Sequence, residues 1–125
     1  MLKLLLEKET FTLIGACIRV HKNLGNGFPA EVYHEALQKE FAFANIPIEF
    51  KKEVLVYYQG NKLNSKVKID FLGYKKIVLS VVADPTLAKE RQKQTLNLLK
   101  ATNFEIGLLI NFGEKKLTWK RFINT

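Results

Sequence analysis

Three observations on this sequence predict an α/β domain: two N-terminal helices, a central mixed five-stranded sheet and one crossover helix. Before residue 45, apolar residues recur at three- and four-residue spacing, the period of helices with one buried face. Between Val54 and Phe71 the period falls to two, as in strands covered on one side. Two later runs, Ile77 to Val82 and Phe104 to Phe112, are mostly apolar and flank a polar helical segment. Runs of that kind belong to strands covered on both faces.

Element by element, Phe11, Ile14, Ile18 and His21 give the first helix one apolar face, from about Glu7 to Leu24. Gly25-Asn26-Gly27 ends it, because these residues accept positive φ. The second helix runs from about Pro29 to Ala44, with Val32, Ala36, Leu37 and Phe41 on one side. Pro29 suits its first turn, where a missing amide donor costs nothing. Val54 to Tyr58, Val67 to Phe71 and Ile77 to Val82 are the first three strands. Asp84 is expected as the N-cap of a third helix from Pro85 to Thr102, with Pro85 its first residue. The strands Phe104 to Phe112 and Leu117 to Ile123 close the domain, the latter after Gly113-Glu114-Lys115-Lys116.

The 125 residues suffice for one domain, 1–125, with a core of its own. With 47% hydrophobic and 26% charged residues the composition is that of a globular protein. A balance of 20 basic to 12 acidic residues gives +8, a charge suited to phosphate backbones and equally to solubility. Cys17 is the one cysteine, so neither an internal disulfide nor a thiolate zinc site is open to the chain. It falls in an apolar helical pattern and reads as a buried thiol. The apolar start Met1 to Leu6 meets Glu7, Lys8 and Glu9 and is too short for a membrane span or signal-peptide core. A cytoplasmic setting and no membrane association are expected.

Four blocks carry a resemblance: GACIRVHKNLGNGFPAEVYHEAL (Gly15 to Leu37), VYYQGNKL (Val56 to Leu63), Ile69-Asp70-Phe71, and TLNLLKATNFEIGLLINFGEKKL (Thr95 to Leu117). From about Thr12 to Asn124 the sequence resembles the bacterial GxxExxY proteins, a branch of the PD-(D/E)XK nuclease-like superfamily. The motif of that family is a glycine, a glutamate three residues on and a tyrosine three beyond. Here Gly27 and Tyr33 are in place and the glutamate position is Ala30.

The resemblance implies a magnesium-dependent phosphodiesterase site. Its parts are a glutamate on the second helix, an aspartate on the second strand, a glutamate and a lysine on the third strand, and a helical glutamine. Carboxylates hold the ion, which polarises the phosphate and activates water, and the lysine offsets developing charge. Carried over position by position, the aspartate is Asp70 and the glutamine Gln94. The helix glutamate falls on Ala30, and the strand acid and lysine on Ser80 and Val82. Two carboxylates and the lysine are gone, so a degenerate site and no cofactor are expected, with magnesium only if the site is displaced or restored.

Neighbouring residues offer poor replacements. Glu31 is rotated by about 100° from Ala30 on the helix. Asp84 is explained as a cap, and charges at Lys89, Glu90 and Lys93 as a solvated helix face. His21 and His34 read as helix-surface histidines, with no second histidine or acid at metal spacing beyond Glu31 and Glu35, which lie within a turn of His34. Asp70 is either a relic bound to backbone amides or a polar anchor for a ligand, with Gln94 facing the same cleft.

Three readings of function follow. The first is a non-catalytic module binding nucleic acid through Lys68, Lys75, Lys76, Lys89, Arg91 and Lys93, with Tyr57, Tyr58, Tyr74 and Trp119 placed to stack on bases. If the old active-site face is used, Lys75 and Lys76 are expected to matter more than Lys51 and Lys52. The second is a protein-interaction or homodimeric scaffold, with Leu2, Leu4, Leu5 and Leu6 as a contact strip. The third is a nuclease whose metal site is displaced or completed by a partner.

Overall fold

The computed structural model describes residues 6–124. Helices α1 (Glu7–Leu24) and α2 (Ala30–Phe43) precede strands β1 (Ile48–Tyr58), β2 (Asn61–Gly73) and β3 (Ile77–Val82). Helix α3 (Lys89–Thr102) then leads to β4 (Ile106–Asn111) and β5 (Thr118–Ile123). The five strands form one sheet in the order β1-β2-β3-β4-β5. Only β3 and β4 run parallel, and α3 is the crossover that a parallel pair requires. The doubly apolar β3 is the central strand, as its composition predicts.

The sheet has a core on each side. Ile77, Leu79 and Val81 of β3 and Ile106, Leu108 and Ile110 of β4 pack with α1 and α2. Val78 joins Val54, Ile69, Leu72 and Leu99 on the α3 side. Alternate residues of β3 thus serve opposite cores, as the two-residue strand period demands.

On α1 the buried stripe is Thr10, Leu13, Ile14, Ala16, Cys17, Val20 and His21, rotated from the expected face, and Phe11 is exposed. Leu6 is buried; Leu2, Leu4 and Leu5 of the apolar strip lie outside the described residues. Tyr33 is fully buried on α2, stacks on Phe112 at 4.5 Å and donates its hydroxyl to Gly25 O at 2.6 Å. The Tyr33 hydroxyl oxygen in turn accepts from Phe28 N–H at 3.2 Å. Tyr33 therefore staples the α1–α2 turn to the core.

Three expectations need correction. Helix α3 begins at Lys89 with Ala88 at its N-cap, not at Pro85 under an Asp84 cap. The Asp84 carboxylate, the group that would cap, is bound by Arg91, and its amide is held by Asn111 Oδ1 at 2.8 Å. Pro29 is the N-cap of α2 rather than its first residue. Strands β1 and β2 are far longer than the alternating runs, because polar stretches such as Lys51-Lys52 and Asn64-Ser65-Lys66 continue the ribbon beyond the covered part.

Candidate functional site

The ladder between β2 and β3 pairs Gly73 with Ile77, Leu72 with Val78 and Phe71 with Leu79, then stops. Just beyond it Asp70 turns its carboxylate into the opening between the strands, where Oδ2 accepts from Val81 N–H at 2.8 Å. The ladder on the other flank breaks at the same level. Phe50 pairs with Phe71 and Lys52 with Ile69, but Lys51, opposite Asp70, is unpaired with it and takes a left-handed φ of 51°. Across this point the strand changes sides: Phe71 packs with the α1 and α2 core, Ile69 with the α3 core. Residues two apart on a regular strand share a face, so the sheet is sharply twisted at Asp70. A non-glycine residue in this conformation costs about 1 kcal/mol or more, and strain of this kind collects at functional sites.

Helix α2 supplies the second wall. His34 Nε2 lies 2.9 Å from Val81 O and 3.7 Å from Asp70 Oδ2. A carbonyl only accepts, so Nε2 carries the proton. The imidazole edge meets the rings of Phe50 and Phe71. His34 is thus not a helix-surface residue but part of the Asp70 cluster. His21 is also buried, with Nε2 2.9 Å from Glu114 O. Ala30 lies one turn before His34, on the same helix face, whereas Glu31 is exposed.

On the α3 side, Asp70, Ser80, Val82, Arg91, Gln94 and Leu109 are among the residues lining a cavity of about 170 Å³. Val82 is buried at 9% exposure. Gln94 is exposed and reaches the cavity without bonding Asp70, whose carboxylate is held by Val81. Arg91 grips Asp84 through Nε to Oδ2 at 2.8 Å and Nη2 to Oδ1 at 3.3 Å. That hydrogen bond raises the guanidinium pKa, with the charges of Asp84 and Asp70 acting in the same direction.

A polar knot at the ends of β3 and β4 fixes this wall. Buried Asn111 accepts from Asp84 N–H and Gly113 N–H, and donates to Asp84 O and Glu114 Oε2, all within 3.0 Å. Thr118 Oγ1 donates to Glu114 Oε2 at 2.8 Å. Sequence reasoning missed Asn111, though an amide in the apolar run Leu108-Leu109-Ile110-Asn111-Phe112 is the signal that finds it.

The site does not fit magnesium. That ion demands near-octahedral oxygen ligands and is held by carboxylates. Here Asp70 is the one carboxylate among the carried-over positions; Val82 presents methyl groups and Arg91 a cation. Among the described residues no group of three or more His, Cys, Asp or Glu side chains is disposed to hold a metal.

Of the six predicted nucleic-acid contacts, only Arg91 lines this cavity. Lys68 is exposed on β2, and Lys89 and Lys93 are exposed on α3. Lys75 borders a different recess with Pro47, Ile48, Glu49 and Leu72, and exposed Lys76 shares its turn. That turn closes the β2–β3 hairpin at the end away from the Asp70 opening.

Among the described residues no helix is long and apolar enough to cross a membrane. Comparison with curated proteins gives no match. One solved structure with the same fold is titled "Crystal structure of SSO0001": TM-score 0.57, 17% identity, covering 75% of this chain and 49% of that one. This chain therefore spans about half the length of that neighbour, and the likeness concerns the fold alone. The sequence description of the PD-(D/E)XK nuclease superfamily matches residues 7–122. That match runs from α1 into β5, and the chain belongs to the PD-(D/E)XK nuclease superfamily.

Proposed function

We propose that the chain is a catalytically degenerate member of the GxxExxY branch that binds nucleic acid without cutting it. The observation that carries the reading is the condition of Asp70. Its carboxylate is hydrogen-bonded to Val81 N–H, and the neighbouring positions are filled by Ser80, Val82 and Arg91. A charge that once held a metal now closes a gap in a sheet. What the fold retains for nucleic acid is charge: +8 overall, with Lys68, Lys89 and Lys93 exposed on the strand and helix that flank the cavity. Binding of this origin is salt-sensitive and tolerant of sequence.

The test is incubation of the full chain with labelled single- and double-stranded DNA and RNA, in magnesium or manganese, read for both retention and cleavage. Binding that weakens with salt and yields no products is expected. Metal-dependent cleavage abolished by Asp70→Ala would overturn the reading in favour of a nuclease with a displaced or partner-completed site.

A second reading, a protein-interaction or homodimeric scaffold, draws on Phe11 and Phe43, which are 64% and 87% exposed on α1 and α2. Absence of nucleic-acid binding at low salt, together with a concentration-dependent dimer in sedimentation, would favour it.

A further inference from the structure

Strands β1 and β2 pair from Ile48/Gly73 out to Tyr58/Asn61, but β3 reaches only Phe71 to Gly73 of β2. Most of the β1–β2 hairpin therefore projects beyond the sheet as a two-stranded ribbon. Its base is tied to α3 through Val54, Val67 and Ile69. Its outer part is not covered: Asn61 to Lys66 are all exposed, and Tyr58 and Leu63 at the tip are 63% and 38% exposed.

The register sorts the charge on this ribbon. Directly paired residues share a face. Val54 pairs with Val67 and Lys52 with Ile69, on the face that meets α3. The pairs Glu53/Lys68, Leu55/Lys66 and Tyr57/Lys62 occupy the other face. Lys62, Lys66 and Lys68 thus stand in a row turned away from α3, with Tyr57 among them and Glu53 as the one acid from residue 51 to residue 69. The register shift opposite Val56, between Lys66 and Lys62, keeps those two lysines on one face and bends the ribbon.

From this we infer that the β1–β2 ribbon is a binding arm for double-stranded B-form DNA, entering the major groove with Lys62, Lys66 and Lys68 on the phosphates. The inference rests on the nucleic-acid reading above and adds the element and the duplex form. A two-stranded ribbon fits the B-DNA major groove, about 12 Å wide. The major groove of A-form RNA is too deep and narrow to admit it. Charge complementarity selects the occupant: three lysines against the single acid Glu53, which pairs with Lys68, disfavour pairing with a second basic copy of this chain.

The test compares the parent, Lys62→Glu/Lys66→Glu and Lys89→Glu/Lys93→Glu on duplex DNA, duplex RNA of the same sequence and single-stranded DNA across a salt series. Thermal midpoints check folding. The parent is expected to bind duplex DNA more tightly than duplex RNA. The arm variant should lose about tenfold in duplex-DNA affinity and about 1.8 from the log-log salt slope, two contacts at about 0.9 each. Should that variant unfold, lysine acetylation of the parent serves instead: Lys62 and Lys66 are expected to be protected by duplex DNA. An arm variant that binds like the parent while the α3 variant weakens overturns the arm and leaves the nucleic-acid reading standing. Equal affinity for the two duplexes overturns groove entry. No binding by the parent at low salt overturns both.

Discussion

His34 and Asp70 hold the two ends of one residue's backbone. The imidazole donates to Val81 O at 2.9 Å while the carboxylate accepts from Val81 N–H at 2.8 Å, and the two side chains lie 3.7 Å apart. They come from α2 and β2 and meet where the β2–β3 ladder ends, so the pair fastens a helix and two strands together. The sequence left two roles open for Asp70, relic or anchor, and in either one its Oδ2 is hydrogen-bonded to Val81 N–H.

Asp70→Asn keeps an oxygen for the Val81 amide and should lie within about 1 kcal/mol of the parent in urea unfolding. Asp70→Ala leaves that amide without its partner and should cost about 1–3 kcal/mol. Equal loss in both variants would show that the carboxylate charge, not the hydrogen bond, is what the fold uses.

Val82→Lys introduces a cation into the cavity that already holds Arg91. Desolvation and like charge both oppose it, so the variant should melt well below the parent or carry a lysine with depressed pKa. Unchanged stability would mean that the cavity is open and wet. Magnesium binding is expected only when Ala30→Glu, Ser80→Glu and Val82→Lys are combined, since a metal site depends on its whole ligand set. Calorimetric titration of single and triple variants decides this; binding by a single variant counts against a thoroughly degraded site.

Gly113 is required by space. A Cβ there would lie 2.1 Å from Asp84 O, against backbone that Asn111 holds in place. Gly113→Ala should cost at least about 2 kcal/mol, in the range reserved for strained or overpacked sites. Asn111→Ala, which removes the acceptor of the part-buried Asp84 and Gly113 amides, should be of similar size. A Gly113→Ala protein melting with the parent would show the turn to be free to shift.

Burial pushes the Cys17 thiol from 9.0 up to about 12, with Arg19 acting weakly in the opposite direction. The unfolded chain releases this proton first, so the native state binds more protons between those values. Its contribution is complete below pH 9.0 and is lost as pH rises towards about 12. Unfolding midpoints at rising alkaline pH should fall more steeply for the parent than for Cys17→Ala, because the other titrating groups are common to both. Parallel profiles would contradict the burial. The native thiol should also resist alkylation until the protein is unfolded.

The legible part of the fold was the part with strong periodicity. The bounds of α1 and β3 and the position of β4 follow from apolar spacing alone, and β3 is central because both its faces are apolar. The projecting ribbon was not legible beyond Val54 to Tyr58 and Val67 to Phe71, since exposed strand residues such as Asn64 and Ser65 carry no burial pattern. Asp84 misled for a different reason: Asp-Pro is a fair helix start locally, but Arg91 takes its carboxylate and the helix starts only at Lys89. In the site, Asp70, Ser80 and Val82 line one cavity, and the sequence singled them out only through a family resemblance. The approach of His34 depends on how α2 packs across the sheet, and nothing at local spacing announces it.

We propose that this nuclease fold binds nucleic acid by charge and without metal. The direct measurement is fluorescence anisotropy of labelled duplex DNA with the parent protein, in EDTA and in magnesium, across a salt series. Binding is expected in EDTA, weakening with a log-log slope of about −0.9 per phosphate contact, and magnesium should only weaken it further as a competing counterion. Binding that appears only with magnesium, or no binding at the lowest salt, would contradict the account.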